Sequence, residues 1–128
     1  MRLIIDTNVY AALARGNTHI RSLLEAADRI VMSAIVLGEL YAGFRLGSKR
    51  TENIRLLNEF LNVPGVDVIQ IYAAIAERYG ELIGVLKDNG TPIPTNDVWI
   101  AATALETGSR MLTFDTHFHQ VPGLMMVL

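Results

Sequence analysis

The sequence predicts an α/β fold of three layers, in which a mostly parallel central sheet lies between helices. Short apolar runs such as Leu3-Ile4-Ile5 are typical of strands that are buried on both faces. Amphipathic segments separate these runs, and strands that alternate with helices pack into a parallel sheet. A chain of 128 residues is long enough for one domain with its own core, so we expect a single domain over residues 1–128.

The first half of the chain shows apolar runs and helical patterns in alternation. We predict a strand at 3–5, helices at 9–15 and 18–27, a strand at 30–32, and helices at 34–46 and 51–62. Polar residues that favour the N-cap position precede two of these helices, namely Asn17 or Thr18 and then Ser33. These caps fix where the helices begin.

The second half of the chain continues the alternation. We predict a strand at 66–69, helices at 72–89 and 97–107, a strand at 110–113, and a possible edge strand at 124–128. Gly90 and Gly108 follow the two helices at the position where a left-handed residue ends a helix. The proline-rich residues 91–95 form a stiff loop, and Thr95 or Asn96 is predicted to cap the next helix.

The composition excludes several classes of protein. No apolar run reaches the ~20 residues of a membrane span, and no secretory leader pattern is present. Cysteine is absent, which excludes thiol chemistry and fits a cytoplasmic protein. The net charge of −2 argues against broad electrostatic binding of nucleic acid. Hydrophobic residues make up 51% of the chain, so we expect a homodimer or a dedicated partner protein to cover part of the surface.

Acidic residues are predicted to meet at one edge of the sheet. Asp6 directly follows a strand and Asp115 lies just past one, and functional clefts of open α/β sheets lie at the carboxyl ends of the strands. Glu39 shares a helical face with apolar or small residues, where a carboxylate loses hydration and needs a partner. Asp97 begins a helix whose small residues allow close packing on the sheet. Helix capping, an Asx-turn or a basic partner explains each acid alone, but four acids at one edge indicate a site.

Carboxylates that lie close together repel each other unless cations bridge them. Without cysteine or a histidine pair at ligand spacing, such a cluster selects Mg²⁺ or Mn²⁺, which serve phosphoryl chemistry. We interpret His19, His117 and His119 as surface residues. Two other acidic folds fail on the residues present. A haloacid-dehalogenase-type phosphatase needs an aspartate where Asn8 stands, and a response-regulator receiver needs a lysine after its last core strand, whereas the last lysine here is Lys87.

The motifs as a set resemble a known family. In order they are Asp6-Thr7-Asn8, Ser33 through Gly38-Glu39-Leu40, Asn96-Asp97-Val98-Trp99-Ile100-Ala101-Ala102, and Thr113-Phe114-Asp115 with Phe118. Their order and spacing are similar to those of the PIN-domain family, and most of all to the VapC-type toxins of bacterial and archaeal toxin–antitoxin pairs. The resemblance covers essentially the whole chain.

This resemblance implies a Mg²⁺- or Mn²⁺-dependent endoribonuclease that leaves a 5′-phosphate and a 3′-hydroxyl. By the family pattern the residues that hold the metal and the attacking water are Asp6, Glu39, Asp97 and Asp115. Asn8 is expected to orient these acids, and Thr113 to add a hydroxyl contact. The resemblance also implies a homodimer and inhibition by a cognate antitoxin protein.

Basic residues near two turns are candidates for holding RNA, namely Arg45, Lys49, Arg50 and Arg55 near one turn and Arg15, His19 and Arg21 near the other. Arg45, Lys49 and Arg50, with Arg55 on the same turn, could contact phosphates, although charge clusters at turns are more often only solvated surface. Two alternatives remain open at this point. The chain could be a PIN-like module that binds RNA or protein without cleavage, or a PIN nuclease of RNA processing. Four retained carboxylates favour cleavage.

Overall fold

A parallel sheet of four strands forms the centre of the fold over residues 1–127, the part of the chain that this computed structural model describes. The strands are β1 (Arg2–Ile5), β2 (Arg29–Ser33), β3 (Val66–Ile69) and β4 (Arg110–Leu112). Their order across the sheet is β3-β2-β1-β4, and every adjacent pair is parallel. The predicted α/β class is confirmed.

Helices cover both faces of this sheet. They are α1 (Thr7–Ala14), α2 (Thr18–Glu25), α3 (Ala34–Leu46), α4 (Arg50–Leu61), α5 (Ala73–Asp88) and α6 (Thr95–Thr107), followed by a 3₁₀ turn at Thr116–Gln120. Successive residues of a strand point to opposite faces, and Leu3, Ile4 and Ile5 are all fully buried. Both faces of β1 are therefore covered, as the three-layer prediction requires. Among residues 1–127, no helix has the length and apolarity to span a membrane.

Local sequence signals place several helix ends. Asn17 accepts a hydrogen bond from the Ile20 N–H at 3.0 Å, and Ser33 accepts one from the Ile35 N–H at 3.1 Å, so both cap their helices as predicted. Gly108 ends α6 with a φ of +65°, in the left-handed region that favours glycine. The observed bounds of α3 and β3 equal the predicted ones.

The predicted cap of one helix and the predicted last strand were wrong. The helix α6 begins at Thr95 with Pro94 in the N-cap position and no side-chain cap, so neither Thr95 nor Asn96 caps it. The φ of Pro94, −54°, already suits the start of a helix. The predicted edge strand at 124–128 is reduced to one bridge between Met111 and Met126 in the described residues, and residue 128 lies outside them.

The strand register determines which residues meet at the carboxyl edge of the sheet. Ile5 in β1 pairs with Leu112 in β4. The next residues, Asp6 and Thr113, therefore leave the sheet side by side. Ser33 ends β2 on the other side of β1 and leads directly into α3. The central position of β1 thus brings the chain after β4 and the start of α3 toward Asp6.

Candidate active site

Asp6 lies at the centre of the carboxyl edge and is 6% exposed. It is the N-cap of α1, and its Oδ1 accepts a hydrogen bond from the Val9 N–H at 3.0 Å. Its other oxygen, Oδ2, accepts a hydrogen bond from the Thr113 hydroxyl. Burial raises the pKa of Asp6, while the hydrogen bonds from Thr113 and Val9 oppose this rise. The capping role and a functional role are therefore compatible in this residue.

Asp115 is held next to Asp6 through the same threonine. The Asp115 N–H donates to the Thr113 hydroxyl oxygen at 2.9 Å, so this hydroxyl joins the two segments. The Oδ1 of Asp115 accepts a hydrogen bond from the His117 N–H at 2.9 Å and thereby begins the 3₁₀ turn. The Asx-type turn that explains an isolated aspartate is present, and it orients the carboxylate at the same time.

Glu39 reaches the site from the middle of α3. Its Oε1 accepts a hydrogen bond from the Thr7 hydroxyl at 2.9 Å, and its Oε2 accepts one from the Asn96 amide at 3.5 Å. The apolar environment predicted along this helical face is absent, because Ala42 is exposed and Leu46 is 89% exposed. Glu39 is half-buried, and its partners are neutral groups rather than the basic side chain that we considered.

Asp97 lies in the first turn of α6 and is also half-buried. Burial raises its pKa, and the negative charges of Asp115 and Glu39 act in the same direction. A hydrogen bond and the charge of His117 oppose the rise. The small residues after Asp97 pack on the core as predicted, since Ile100, Ala101 and Ala102 are buried.

The four acids share one shallow cleft with a volume of about 160 Å³. The lining residues are Asp6, Thr7, Asn8, Glu39, Asp97, Ile100 and Asp115. Within residues 1–127, no lysine or arginine forms an ion pair with any of the four carboxylates. The cleft thus gathers oxygen atoms that can act as metal ligands, and no lysine or arginine among the described residues neutralises their negative charge. Fold and cleft together define an α/β protein with an acidic site at the carboxyl edge of a parallel sheet.

Three residues at the site were not predicted. Thr7 and Asn96 hold Glu39, as described above. His117 is 52% exposed, as predicted for a surface residue, but it also borders the site, because its Nδ1 lies 3.1 Å from Asp115 Oδ1 and 3.5 Å from Asp97 Oδ2. The spacing of two residues between Asp115 and His117 was the available signal, since an aspartate that caps a turn accepts from that position.

The remaining candidates lie in different settings. Asn8 lines the cleft and is exposed. The exposed Arg45, Lys49 and Arg50 flank the turn between α3 and α4 and, among the described residues, are not part of the cleft lining. Arg55 forms ion pairs with glutamates on its own helix, Glu52 and Glu59, which makes it a poor phosphate contact.

Comparisons with known proteins agree with this class. A PIN domain family model matches residues 3–124. The chain is 35% identical to Ribonuclease VapC1 of Haemophilus influenzae (strain R2866) over 133 residues, which covers 97% of this chain and 95% of that protein. It is 30% identical to Ribonuclease VapC2 of Rickettsia felis, over 98% of this chain and 96% of that protein.

A solved structure gives the same result at the level of the fold. The crystal structure of VapBC2 from Rickettsia felis, bound to a DNA fragment from their promoter, superposes with a TM-score of 0.90 at 28% identity. The match covers 99% of this chain and 98% of that one. This chain belongs to the PIN domain family, and its relatives are of the VapC type.

Proposed function

We propose that this chain is a metal-dependent endoribonuclease and the toxin of a type II toxin–antitoxin pair. The observation that carries the proposal is the convergence of four carboxylates from four segments on one cleft without a lysine or arginine partner among residues 1–127. Near-full-length relatives named as ribonucleases support the same activity. The substrate is RNA, and the reaction is hydrolysis of a phosphodiester bond.

We assign the binding of Mg²⁺ or Mn²⁺ to Asp6, Glu39, Asp97 and Asp115. Carboxylate oxygens are the donors that these hard cations prefer. The raised pKa values of Asp6 and Asp97 show that burial and mutual repulsion disfavour their charged forms, and a bound cation would remove this penalty. When bound, the cation supplies a Lewis acid that lowers the pKa of a water molecule and stabilises negative charge on phosphate.

The chain's own residues hold the carboxylates in place before the substrate arrives. Thr113 and the Val9 N–H fix both oxygens of Asp6, while Thr7 and Asn96 fix those of Glu39. Each carboxylate oxygen has a second lone pair that can face the cleft and accept a hydrogen bond from the attacking water. Such fixed acceptors reduce the entropy cost of orienting that water. We assign to Asn8, which lines the same cleft, the orientation of the neighbouring acids.

The proposed reaction follows the pattern that the family resemblance implies. Water adds to phosphorus, and the bond from phosphorus to the 3′-oxygen breaks. The phosphate stays on the 5′-oxygen of one fragment, and the released 3′-oxygen takes up a proton. End analysis of the products therefore tests the reaction class directly.

For RNA binding we propose Arg45, Lys49 and Arg50, which are exposed at the turn between α3 and α4. The variant Lys49→Ala, Arg50→Ala should bind RNA more weakly, and the slope of log affinity against log salt should fall by about 1.4 for two lost phosphate contacts. Arg29→Ala is the matched control, because Arg29 pairs with Asp67 and starts β2 at the opposite edge of the sheet. An unchanged slope in the double variant would remove these residues from the RNA site.

The proposed partners are a cognate antitoxin and a second copy of this chain, in the cytoplasm. Exposed apolar side chains are available for such contacts on two helices, with Tyr41 and Leu46 on α3 and Ile83 and Val85 on α5. The fold that this chain shares with the VapBC2 structure from Rickettsia felis supports an antitoxin partner, through the resemblance to VapC-type toxins.

The activity is tested by incubating purified protein with cellular RNA in Mg²⁺ or Mn²⁺, in EDTA, and with the variant Asp97→Asn. This variant keeps the size of the side chain and removes one negative charge from the cleft. Asp28→Asn is the matched control, because Asp28 pairs with the amino terminus at the opposite end of β1. We expect discrete products from wild type and Asp28→Asn that disappear in EDTA and in folded Asp97→Asn.

Equal cleavage by wild type and Asp97→Asn would indicate a contaminating nuclease and refute the assignment of this cleft. Absence of cleavage with retained RNA binding would instead favour the non-catalytic module. Circular dichroism of each variant separates loss of activity from loss of folding.

A further inference from the structure

His117 projects into the proposed metal site from the 3₁₀ turn at Thr116–Gln120. Its backbone N–H donates to Asp115 Oδ1, and the neighbouring Phe118 is 1% exposed, so the turn is anchored on both sides of the imidazole-bearing residue. The Nδ1 atom lies 3.1 Å from Asp115 Oδ1 and 3.5 Å from Asp97 Oδ2. The three side chains each offer one ligand atom, and these atoms all lie within 4.8 Å of one another.

These separations match the ligands of one cation. Two ligands at right angles around a metal lie about 1.4 times the metal–ligand distance apart, or about 2.8–3.1 Å for metal–ligand distances of ~2.0–2.2 Å. The distance of 3.1 Å between His117 Nδ1 and Asp115 Oδ1 already fits this range. The distance of 3.5 Å between His117 Nδ1 and Asp97 Oδ2 needs to shorten by a few tenths of an ångström. The side chain of His117 is 52% exposed, so its ring has room for this adjustment.

The position of His117 distinguishes it from the other histidine of the same turn. His119 is exposed and, within residues 1–127, contacts no acid of the cleft. A general attraction of histidines to an acidic surface would not make this distinction. The capped turn presents the imidazole of His117 to the site, whereas among residues 1–127 His119 forms no ion pair with the cleft acids, which gives a matched pair of positions for a test.

We propose that His117 is a metal ligand, which together with Asp97 and Asp115 gives the cation one nitrogen and two oxygen donors. This inference rests on the proposed function, because it concerns the same cation. Imidazole nitrogen binds divalent metals of the first transition series, of which Mn²⁺ is the weakest binder, better than it binds Mg²⁺, which keeps to oxygen ligands and water. The nitrogen donor therefore makes the site prefer Mn²⁺ over Mg²⁺.

The test is nitrogen detection on bound Mn²⁺ in full-length protein, at about pH 8, where an ordinary histidine is neutral. Electron spin echo envelope modulation reports a nitrogen bonded directly to Mn²⁺ and does not depend on RNA cleavage. We expect the nitrogen signal in wild type and in His119→Ala, and its loss in His117→Ala. Calorimetry should show that His117→Ala binds Mn²⁺ about tenfold or more weakly than wild type. Loss of a residue that only hydrogen-bonds to a metal ligand already has an effect of this size, and loss of a ligand itself should have at least the same effect. Mg²⁺ affinity should change less.

The outcomes separate the two levels of the proposal. Bound Mn²⁺ without a nitrogen signal in wild type, or a signal that persists in His117→Ala, would overturn the role of His117 and leave the acidic site intact. Mn²⁺ binding that is unaffected by Asp97→Asn and Asp115→Asn together would overturn the metal site itself. His117→Asn, which keeps a hydrogen-bonding side chain in the turn, serves as a second variant if His117→Ala melts at a lower temperature than wild type.

Discussion

Replacing Thr113 with valine is expected to destabilise the metal-free protein substantially. Valine has nearly the same shape, so the change exchanges one hydroxyl for a methyl group in a side chain that is 3% exposed. The buried Asp6 carboxylate loses a donor, and the Asp115 N–H loses its acceptor. Hydrogen bonds to charged groups contribute about 1.5–3 kcal/mol each, and we expect a loss of this size in the free energy of unfolding.

The corresponding shift in melting temperature follows from the length of the chain. An unfolding entropy of ~2.1 cal/mol/K per residue gives about 0.27 kcal/mol/K for 128 residues. The melting temperature of Thr113→Val should therefore fall by about 6–11 °C, measured by circular dichroism in EDTA. Thr113→Ser keeps the hydroxyl and loses one methyl group, which should lower the free energy of unfolding by about 0.5–1.5 kcal/mol and the melting temperature by about 2–6 °C.

A double-mutant cycle with Asp6→Asn identifies the partner. A hydrogen bond to a charged group is about twice as strong as a bond between neutral groups. Thr113→Val should therefore lower the free energy of unfolding of Asp6→Asn by about half as much as it lowers that of wild type. Two outcomes would contradict the hydrogen bond from the Thr113 hydroxyl to the Asp6 carboxylate. The first is a melting temperature of Thr113→Val that is no lower than that of Thr113→Ser. The second is an equal loss of unfolding free energy from Thr113→Val in wild type and in Asp6→Asn.

Three further results are expected. The pKa of Asp97 is raised on folding by burial and by repulsion from Asp115 and Glu39, so its charge destabilises the folded state above that raised pKa and has no effect below the ordinary pKa of an unfolded aspartate. In EDTA, Asp97→Asn should therefore unfold at a higher temperature than wild type at pH 7, and this difference should disappear on acidification. A variant less stable than wild type at pH 7 would contradict the effect of burial and repulsion on this carboxylate. Mn²⁺ at a hundred times its dissociation constant should stabilise wild type by about 2.7 kcal/mol in thermal melts, and the same concentration should stabilise Asp6→Asn less. Equal increases in melting temperature for the two proteins would place the cation elsewhere. Gly108→Ala should lower the free energy of unfolding by about 1–2 kcal/mol, because residue 108 has a φ of +65°. Gly84→Ala in α5 should raise this free energy by about 0.5–1 kcal/mol, because the added Cβ meets nothing within 4 Å. Urea melts that show no difference between the two variants would contradict the left-handed end of α6.

The acids could be placed at one edge from the sequence because Asp6 directly follows a strand and Asp115 lies just past one. Once a parallel sheet was predicted, Asp6 and Asp115 had to leave it at the same edge, whatever the order of the strands. Ser33 fixed the start of α3, and therefore the position of Glu39 along that helix. These inferences needed only local signals and one rule of sheet topology.

The contacts that orient the acids could not be predicted in the same way. The donation from Thr7 to Glu39 spans 32 residues, and that from Asn96 to Glu39 spans 57, so each depends on how α1 and α6 pack around α3. The direction of His117 depends on the 3₁₀ turn that Asp115 caps and Phe118 anchors. Hydrophobic periodicity does not report how such a turn is oriented, because only one of its side chains enters the core.

The hydroxyl of Thr113 meets Asp6 across 107 positions of the chain. Synthesis on the ribosome produces Asp6 early and Thr113 late, and β4 can pair with β1 only after residues 110–112 have been made. A nascent chain that stops before this point lacks Thr113 and Asp115, and its Asp6 has no partner from β4. For a protein that cleaves RNA as proposed, activity therefore requires that β4 and the segment that carries Thr113 and Asp115 have already been made.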